Sequence, residues 1–301
     1  MELSVKKFAV LIDADNISHR KIKDILDEIA NYGTPTIKRI YGDFTDPKFA
    51  AWKSVLLENS ITPIQQYAYT TGKNATDSAL IIDAMDILHK ESVNGFCIVS
   101  SDSDYTRLAS RIRESGREVL GFGEKKTPKP FIKSCDKFIY VEILGQPAPA
   151  PAPVSAPAQT AAAVPAAKAA TPKKTAKKHQ GRNAPETDMP EAAPAEPAAA
   201  EKKVAPAPDT AQPQPIIRPI DDDFKTLLAN TIEDAADDSG WAFLGIVGGV
   251  LTKKMPDFDP RNYGYKKLSL LVKSLSKIVE IEERPSENKE LKLVYVRNRI
   301  R

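Results

Sequence analysis

The sequence has few of the residues that build disulfide frameworks and zinc sites. Its 301 residues include only two cysteines, Cys97 and Cys135, and three histidines. This set cannot form a disulfide-stapled fold or a thiolate zinc site. The sequence also lacks a run of about 18 apolar residues, so we expect no membrane span. The N-terminus runs directly into the first predicted strand and leaves no room for a signal peptide, which indicates a cytoplasmic protein.

A large charge excess and several nucleotide signatures are also missing. The net charge is +3, so the whole chain is not a polycation. The glycine-rich motifs of P-loop NTPases and of dinucleotide-binding folds are absent, as is the nucleophile elbow of α/β-hydrolases. The string Asp13-Ala14-Asp15 is similar to the opening of haloacid dehalogenase-type phosphatase motifs, but the fifth position is Ile17 instead of Thr or Val. A small-molecule phosphatase is therefore the least favoured reading.

Composition divides the chain into three parts. Residues 146–219 are rich in Ala and Pro and contain 16 of the 24 prolines. Such a segment cannot bury a core and predicts an extended, disordered linker. The linker has nine basic and six acidic residues, whereas each flanking part is balanced in charge. We therefore predict a domain at 1–145, the linker at 146–219 and a second domain at 220–301. Two roles stay open for the linker: a solubilising tether, or an arm that touches nucleic-acid phosphates.

The first part alternates short apolar runs with amphipathic segments. This alternation predicts an α/β domain with a parallel sheet and helices on both faces. In such sheets ligands bind beyond the carboxyl ends of the strands. The predicted strands are 8–14, 36–44, 61–69, 95–101, 117–123 and 138–144, and the predicted helices are 19–33, 47–60, 77–90 and 105–115.

Acidic residues lie at three of the strand and helix ends. Asp13 ends the first strand, Asp77 begins a helix, and Asp102 and Asp104 follow the fourth strand. Each alone could be an ordinary helix-cap or turn residue, and Asp77 and Asp104 directly precede predicted helical residues. Together they would repel one another unless a cation lay between them. Because hard oxygen ligands suit Mg²⁺ or Mn²⁺, the pattern predicts a metal site for phosphate chemistry.

The last part predicts three helices followed by a hairpin. The helical segments are 221–237, 240–256 and 265–275, and the alternating segments 277–284 and 291–298 form the hairpin. This order matches a small winged helix-turn-helix domain of the α+β class. Basic residues flank the second and third helices and are candidate phosphate contacts, although a solvated helix face explains them equally well. They are Lys253, Lys254, Arg261, Lys266 and Lys267. Tyr263 and Tyr265 could stack on unpaired bases or pack in the core.

The motifs of the first part resemble those of NYN domains, which belong to the PIN-like ribonucleases. The resemblance rests on LIDADN, on the spacing of Lys73, Asp77, Leu80 and Asp83, and on VSSDSDYTRL followed by GREVLGFG. It implies a PIN-like sheet and a Mg²⁺- or Mn²⁺-dependent endoribonuclease that hydrolyses phosphodiester bonds. The implied metal ligands are Asp13, Asp77, Asp102 and Asp104, with Asn16 as a further site residue and Lys73 as a phosphate contact.

The last part is similar to OST-HTH or LOTUS domains, which implies RNA binding or protein partnering. A nuclease joined to an RNA-binding module is a coherent pair, so we expect RNA as the partner and no membrane. A protein partner for the second domain and a homodimer both stay open. The alternative function is a non-catalytic RNA-binding or scaffold protein on a PIN-like fold.

Overall fold

The computed structural model describes residues 5–67, 75–145, 217–285 and 292–299. The predicted linker lies outside these ranges except for its last three residues. Lys73 lies outside them as well. No helix among the described residues is long and apolar enough to cross a membrane.

The first domain is a six-stranded parallel sheet with helices on both faces, as predicted. The elements are β1 (Lys7–Asp13), α1 (Ile22–Ile29), β2 (Thr34–Gly42), α2 (Trp52–Glu58), β3 (Thr62–Gln65), α3 (Ala75–Lys90), β4 (Gly95–Val99), α4 (Thr106–Glu114), β5 (Glu118–Gly123), α5 (Lys129–Ser134) and β6 (Lys137–Tyr140). The strand order is β3-β2-β1-β4-β5-β6. The middle strands β1 and β4 are almost entirely buried, which explains why they read as continuous apolar runs.

The helices cover two separate apolar clusters, one on each face of the sheet. Ile22, Ile25 and Ile29 of α1 pack on one face. Leu80 and Ala84 of α3 pack on the other. The short helix α5 was not among the predicted elements. Proline suits the first turn of a helix, and the structure places Pro130 there.

Among the described residues, the second domain has three α-helices and a three-stranded antiparallel sheet, in which β9 (Lys292–Asn298) lies between β7 (Ala242–Phe243) and β8 (Val279–Pro285). The segment 240–256 was predicted as one helix. In the structure, Ala242 and Phe243 form a two-residue strand that pairs with the hairpin, and the helix begins after them, at Leu244. Phe224 packs against Phe258 and Tyr263 in the core. Tyr263 is thus unavailable for stacking on a base. The elements are α6 (Asp222–Ala235), β7 (Ala242–Phe243), α7 (Leu244–Lys254), α8 (Leu268–Ser274), β8 (Val279–Pro285) and β9 (Lys292–Asn298).

Candidate active site

Three carboxylates lie close together at the carboxyl edge of the first sheet. Asp77 is in the first turn of α3, while Asp102 and Asp104 follow β4. One oxygen of each lies within 4.8 Å of the others. Parallel strands bring their carboxyl ends to one edge, and α3 returns its N-terminus to the same place. Asp77, Asp102 and Asp104 are called the acidic cluster below.

Asp13 lies behind the acidic cluster and is completely buried. Its Oδ2 accepts hydrogen bonds from Asn16 Nδ2 at 2.7 Å and Ser100 Oγ at 2.8 Å, and its Oδ1 accepts one from the Asp15 backbone N–H at 3.0 Å. Burial raises the pKa of Asp13, and these hydrogen bonds oppose the rise. Asp13 is therefore the acceptor at the centre of a polar network beneath the cluster.

Ser100 and Tyr105 connect Asp13 to the acidic cluster. Ser100 Oγ, which donates to Asp13, accepts a hydrogen bond from the Asp102 backbone N–H at 3.0 Å. The Tyr105 hydroxyl donates to Asp77 Oδ1 at 2.7 Å and lies 3.4 Å from Asp13 Oδ2. Both side chains are buried. Sequence reasoning missed both, although Ser100 directly follows the buried strand β4 and Tyr105 lies in the short helical turn directly before α4.

The electrostatics of Asp77 reflect its crowded position. Burial raises the pKa of Asp77 most, and the charges of Asp102, Asp104 and Asp15 raise it further. The Tyr105 hydrogen bond acts in the opposite direction. A carboxyl group whose ionisation its neighbours disfavour is stabilised by an added cation.

The acidic cluster fits a small divalent cation. All its donors are carboxylate oxygens, the ligands that Mg²⁺ and Mn²⁺ prefer. Oxygens on opposite sides of an octahedral Mg²⁺ lie about 4.2 Å apart, because each bond is about 2.1 Å long. The spread of at most 4.8 Å therefore needs only small side-chain movements.

Neighbouring acids have other partners. Asp83 accepts hydrogen bonds from Arg39 and Tyr41. Asp15 pairs with Lys48 at 2.8 Å. Among the described residues, neither belongs to the group of carboxylates that could share an ion.

The basic residues predicted to bind RNA differ in their surroundings. Lys253, Lys266 and Lys267 are exposed. Lys254 pairs with Asp234 at 2.6 Å. Arg261 donates two hydrogen bonds to Glu28 of α1, at 2.8 and 3.0 Å, and also pairs with Asp259. These ion pairs occupy the guanidinium group, so we leave Arg261 out of the proposed RNA contacts.

The two domains are in direct contact and belong to one compact unit. The Phe138 backbone N–H of the edge strand β6 donates to the Pro256 carbonyl at 2.9 Å. The Tyr140 hydroxyl donates to Asp257 at 2.8 Å, and Arg218 donates to the same carboxylate at 2.9 Å. The Phe138 and Tyr140 bonds attach the loop after α7 to the edge strand β6, and the Arg261–Glu28 pair attaches the same loop to α1. We call this contact the domain interface.

We expect the two domains to stay together after the chain between them is cut. A protease site inserted within residues 146–216 would separate the chain into two pieces. Because the domain interface joins backbone groups and partly buried ion pairs, the pieces should elute together in size-exclusion chromatography at micromolar concentration. Elution as two separate species would contradict the interface.

Comparisons with known proteins agree with this architecture. The NYN domain family matches residues 7–143. The OST-HTH/LOTUS domain family matches residues 215–291. The chain therefore consists of an NYN domain of the PIN-like nuclease superfamily followed by an OST-HTH/LOTUS domain. No curated protein matches the chain.

Several solved structures are similar to parts of the chain, among them the following three. A protein of unknown function from Vibrio parahaemolyticus is 18% identical, with a TM-score of 0.40, over 46% of this chain and 95% of that one. An uncharacterised protein from Nitrosomonas europaea is 35% identical, with a TM-score of 0.25, over 34% of this chain and 94% of that one. A fragment from Chromobacterium violaceum is 36% identical, with a TM-score of 0.22, over 26% of this chain and 80% of that one.

Proposed function

We propose that this protein is a metal-dependent endoribonuclease whose OST-HTH/LOTUS domain helps to bind the RNA. The observation that supports the proposal most is the acidic cluster at the carboxyl edge of an NYN sheet, with buried Asp13 beneath it. An acidic rim repels a phosphodiester unless cations neutralise it, so the cluster suits RNA chemistry only together with a metal.

Each residue of the site has a distinct proposed role. Asp77, Asp102 and Asp104 would hold Mg²⁺ or Mn²⁺, which when bound polarises the scissile phosphate and lowers the pKa of the attacking water. Asp13 orients Ser100 and Asn16, and Ser100 in turn fixes the backbone that presents Asp102. Asn16 uses its amide N–H on Asp13, and we assign its carbonyl oxygen to water or substrate.

The RNA contacts of the second domain are assigned to its exposed lysines. Lys266 and Lys267 directly precede α8, the third helix of the winged domain, and Lys253 lies in the last turn of α7. They would contact phosphates, which position a nucleic acid without reading its sequence. A protein partner for this domain and a homodimer stay open.

The proposal is tested by incubating the full chain with single-stranded RNA, structured RNA and matched DNA. We expect internal cleavage of RNA with Mn²⁺ or Mg²⁺ and none with EDTA. Binding of RNA without cleavage in either metal would contradict the nuclease and favour the RNA-binding or scaffold alternative.

Metal binding can be measured without any substrate. Because the acidic cluster is repulsive when empty, millimolar Mg²⁺ or Mn²⁺ should raise the melting temperature of the full chain. A metal concentration ten times the dissociation constant corresponds to about 1.4 kcal/mol of stabilisation. Asp102→Asn should remove most of this shift, whereas Asp86→Asn, on an exposed part of α3, should retain it. An unchanged melting temperature for the unmutated chain would contradict the shared metal site.

A further inference from the structure

A basic cleft of about 780 Å³ lies where the OST-HTH/LOTUS domain meets the starts of β5 and β6. Five basic side chains line it. Arg113, Arg117, Lys133 and Lys137 come from the NYN domain, and Lys253 comes from α7 of the second domain. Neither domain alone contains the whole lining, so we call it the composite cleft.

Most of the positive charge in the composite cleft is not neutralised. The two acidic residues of its lining are already paired: Asp136 with Arg113 at 2.9 Å, and Glu118 with Lys6 at 2.6 Å. Arg117, Lys133 and Lys253 have no ion-pair partner within the described ranges. A pocket that gathers cations without matching acids costs electrostatic energy unless an anion enters it.

The shape of the composite cleft allows a ligand to approach the protein backbone closely. Gly116 and Gly249 are exposed members of its lining, and a Cβ added at either would meet no atom within 4 Å. The lining contains few apolar side chains, which argues against an apolar peptide as the occupant. An extended anionic chain matches both the positive charge of the cleft and the exposed glycine backbone in its lining.

The composite cleft is at the opposite end of the sheet from the acidic cluster. Gly116, Arg117 and Glu118 precede or begin β5, whereas the acidic cluster follows the carboxyl end of the neighbouring parallel strand β4. A six-residue strand is about 20 Å long. A mononucleotide in the cleft would therefore not reach the acidic cluster, but a polynucleotide could occupy both.

We propose that the composite cleft binds the phosphodiester backbone of the RNA substrate away from the bond that is cleaved. Arg117 and Lys133 from the NYN domain and Lys253 from the OST-HTH/LOTUS domain contact the same strand. This inference rests on the proposed function for the identity of the polyanion. The domain interface then has a role in function, because it brings the two halves of the cleft together.

The charge contribution is tested by fluorescence anisotropy with labelled single-stranded RNA in EDTA, over a series of salt concentrations. The full chain with Arg117→Gln and Lys253→Gln should bind about 10-fold more weakly at moderate salt. The slope of log affinity against log salt should fall by about 1.4, since each lost phosphate contact contributes about 0.7 for a single strand. Lys277→Gln removes an exposed charge outside the cleft and should change neither value appreciably.

A second variant distinguishes RNA binding in a cleft that needs the domain interface from RNA binding that depends only on the charge of the protein. Glu28→Ala with Asp257→Ala removes two acids and two contacts of the domain interface, yet neither residue lines the cleft. Lower negative charge alone would tighten RNA binding. A cleft that depends on the interface predicts weaker binding, by about 3-fold or more. Circular dichroism and thermal melting would verify that the variant is folded.

The outcomes distinguish this inference from the proposed nuclease. Unchanged affinity and salt slope in the Arg117→Gln/Lys253→Gln chain would overturn the composite cleft, even if the unmutated protein cleaves RNA. Tighter binding by Glu28→Ala/Asp257→Ala would overturn the role of the interface. Reduced binding in both variants supports the cleft even if no cleavage is found, because the measurement is made without metal.

Discussion

Replacing Asp102 with Asn is expected to reduce RNA cleavage by about 100-fold or more while RNA binding stays equal or becomes tighter. The amide retains an oxygen that can accept the Asp104 backbone N–H, now bonded to Asp102 Oδ1 at 2.9 Å. Local folding should therefore be preserved. Asp102→Asn removes one of the three negative charges of the acidic cluster. Loss of one preorganised electrostatic group commonly lowers the reaction rate by a factor of about 10²–10³.

Single-turnover cleavage of labelled RNA in Mn²⁺, beside binding in EDTA, measures the two quantities separately. Asp86→Asn is the matched control, because Asp86 is exposed on α3 and pairs only with Lys90 among the residues described. Its cleavage rate should equal that of the unmutated chain. Full activity in Asp102→Asn would mean that the reaction occurs at another site or in a contaminating nuclease.

The sheet and the position of the acids could be predicted because they depend on local patterns. Apolar runs separated by amphipathic segments define parallel strands, and the residue after each strand then lies at a known edge. Asp102 and Asp104 follow directly from this rule. Asp77 was predicted to join them from the start of its helix, and the structure places it in the acidic cluster.

The burial of Asp13 could not be predicted in the same way. Its surroundings come from Ser100 and Tyr105, which are 87 and 92 residues away in sequence. The pairing of Arg261 with Glu28 spans 233 residues. Such contacts depend on how separate elements pack. The residues next to Asp13 or Arg261 in sequence do not indicate which distant side chain each of them will contact. The sequence predicted all four aspartates as metal ligands, and the structure adds that Asp13 is buried whereas Asp77, Asp102 and Asp104 are not.

This difference leads to the second large prediction, which concerns stability. Asp13→Ala should lower the free energy of unfolding of the metal-free chain by about 3 kcal/mol. The change would leave the buried Ser100 Oγ without its acceptor, and a buried donor without a partner costs about 1–3 kcal/mol. It would also remove the acceptor of Asn16 Nδ2 and of the Asp15 backbone N–H, which are less buried and contribute less each. Asp13→Ala also removes the free-energy cost of burying a carboxylate. The total loss of stability should therefore be smaller than the sum of the losses at the three donors.

Asp104→Ala is the matched comparison, because it makes the same chemical change in an exposed member of the acidic cluster. Its effect on the metal-free chain should be within about 0.5 kcal/mol, since repulsion from Asp77 and Asp102 is relieved. Both variants should lose cleavage. Urea unfolding in EDTA, followed by the fluorescence of buried Trp52 in a Trp241→Phe background, would measure the two free energies. Equal losses of stability in both variants would mean that Asp13 is not the structural acceptor beneath the site.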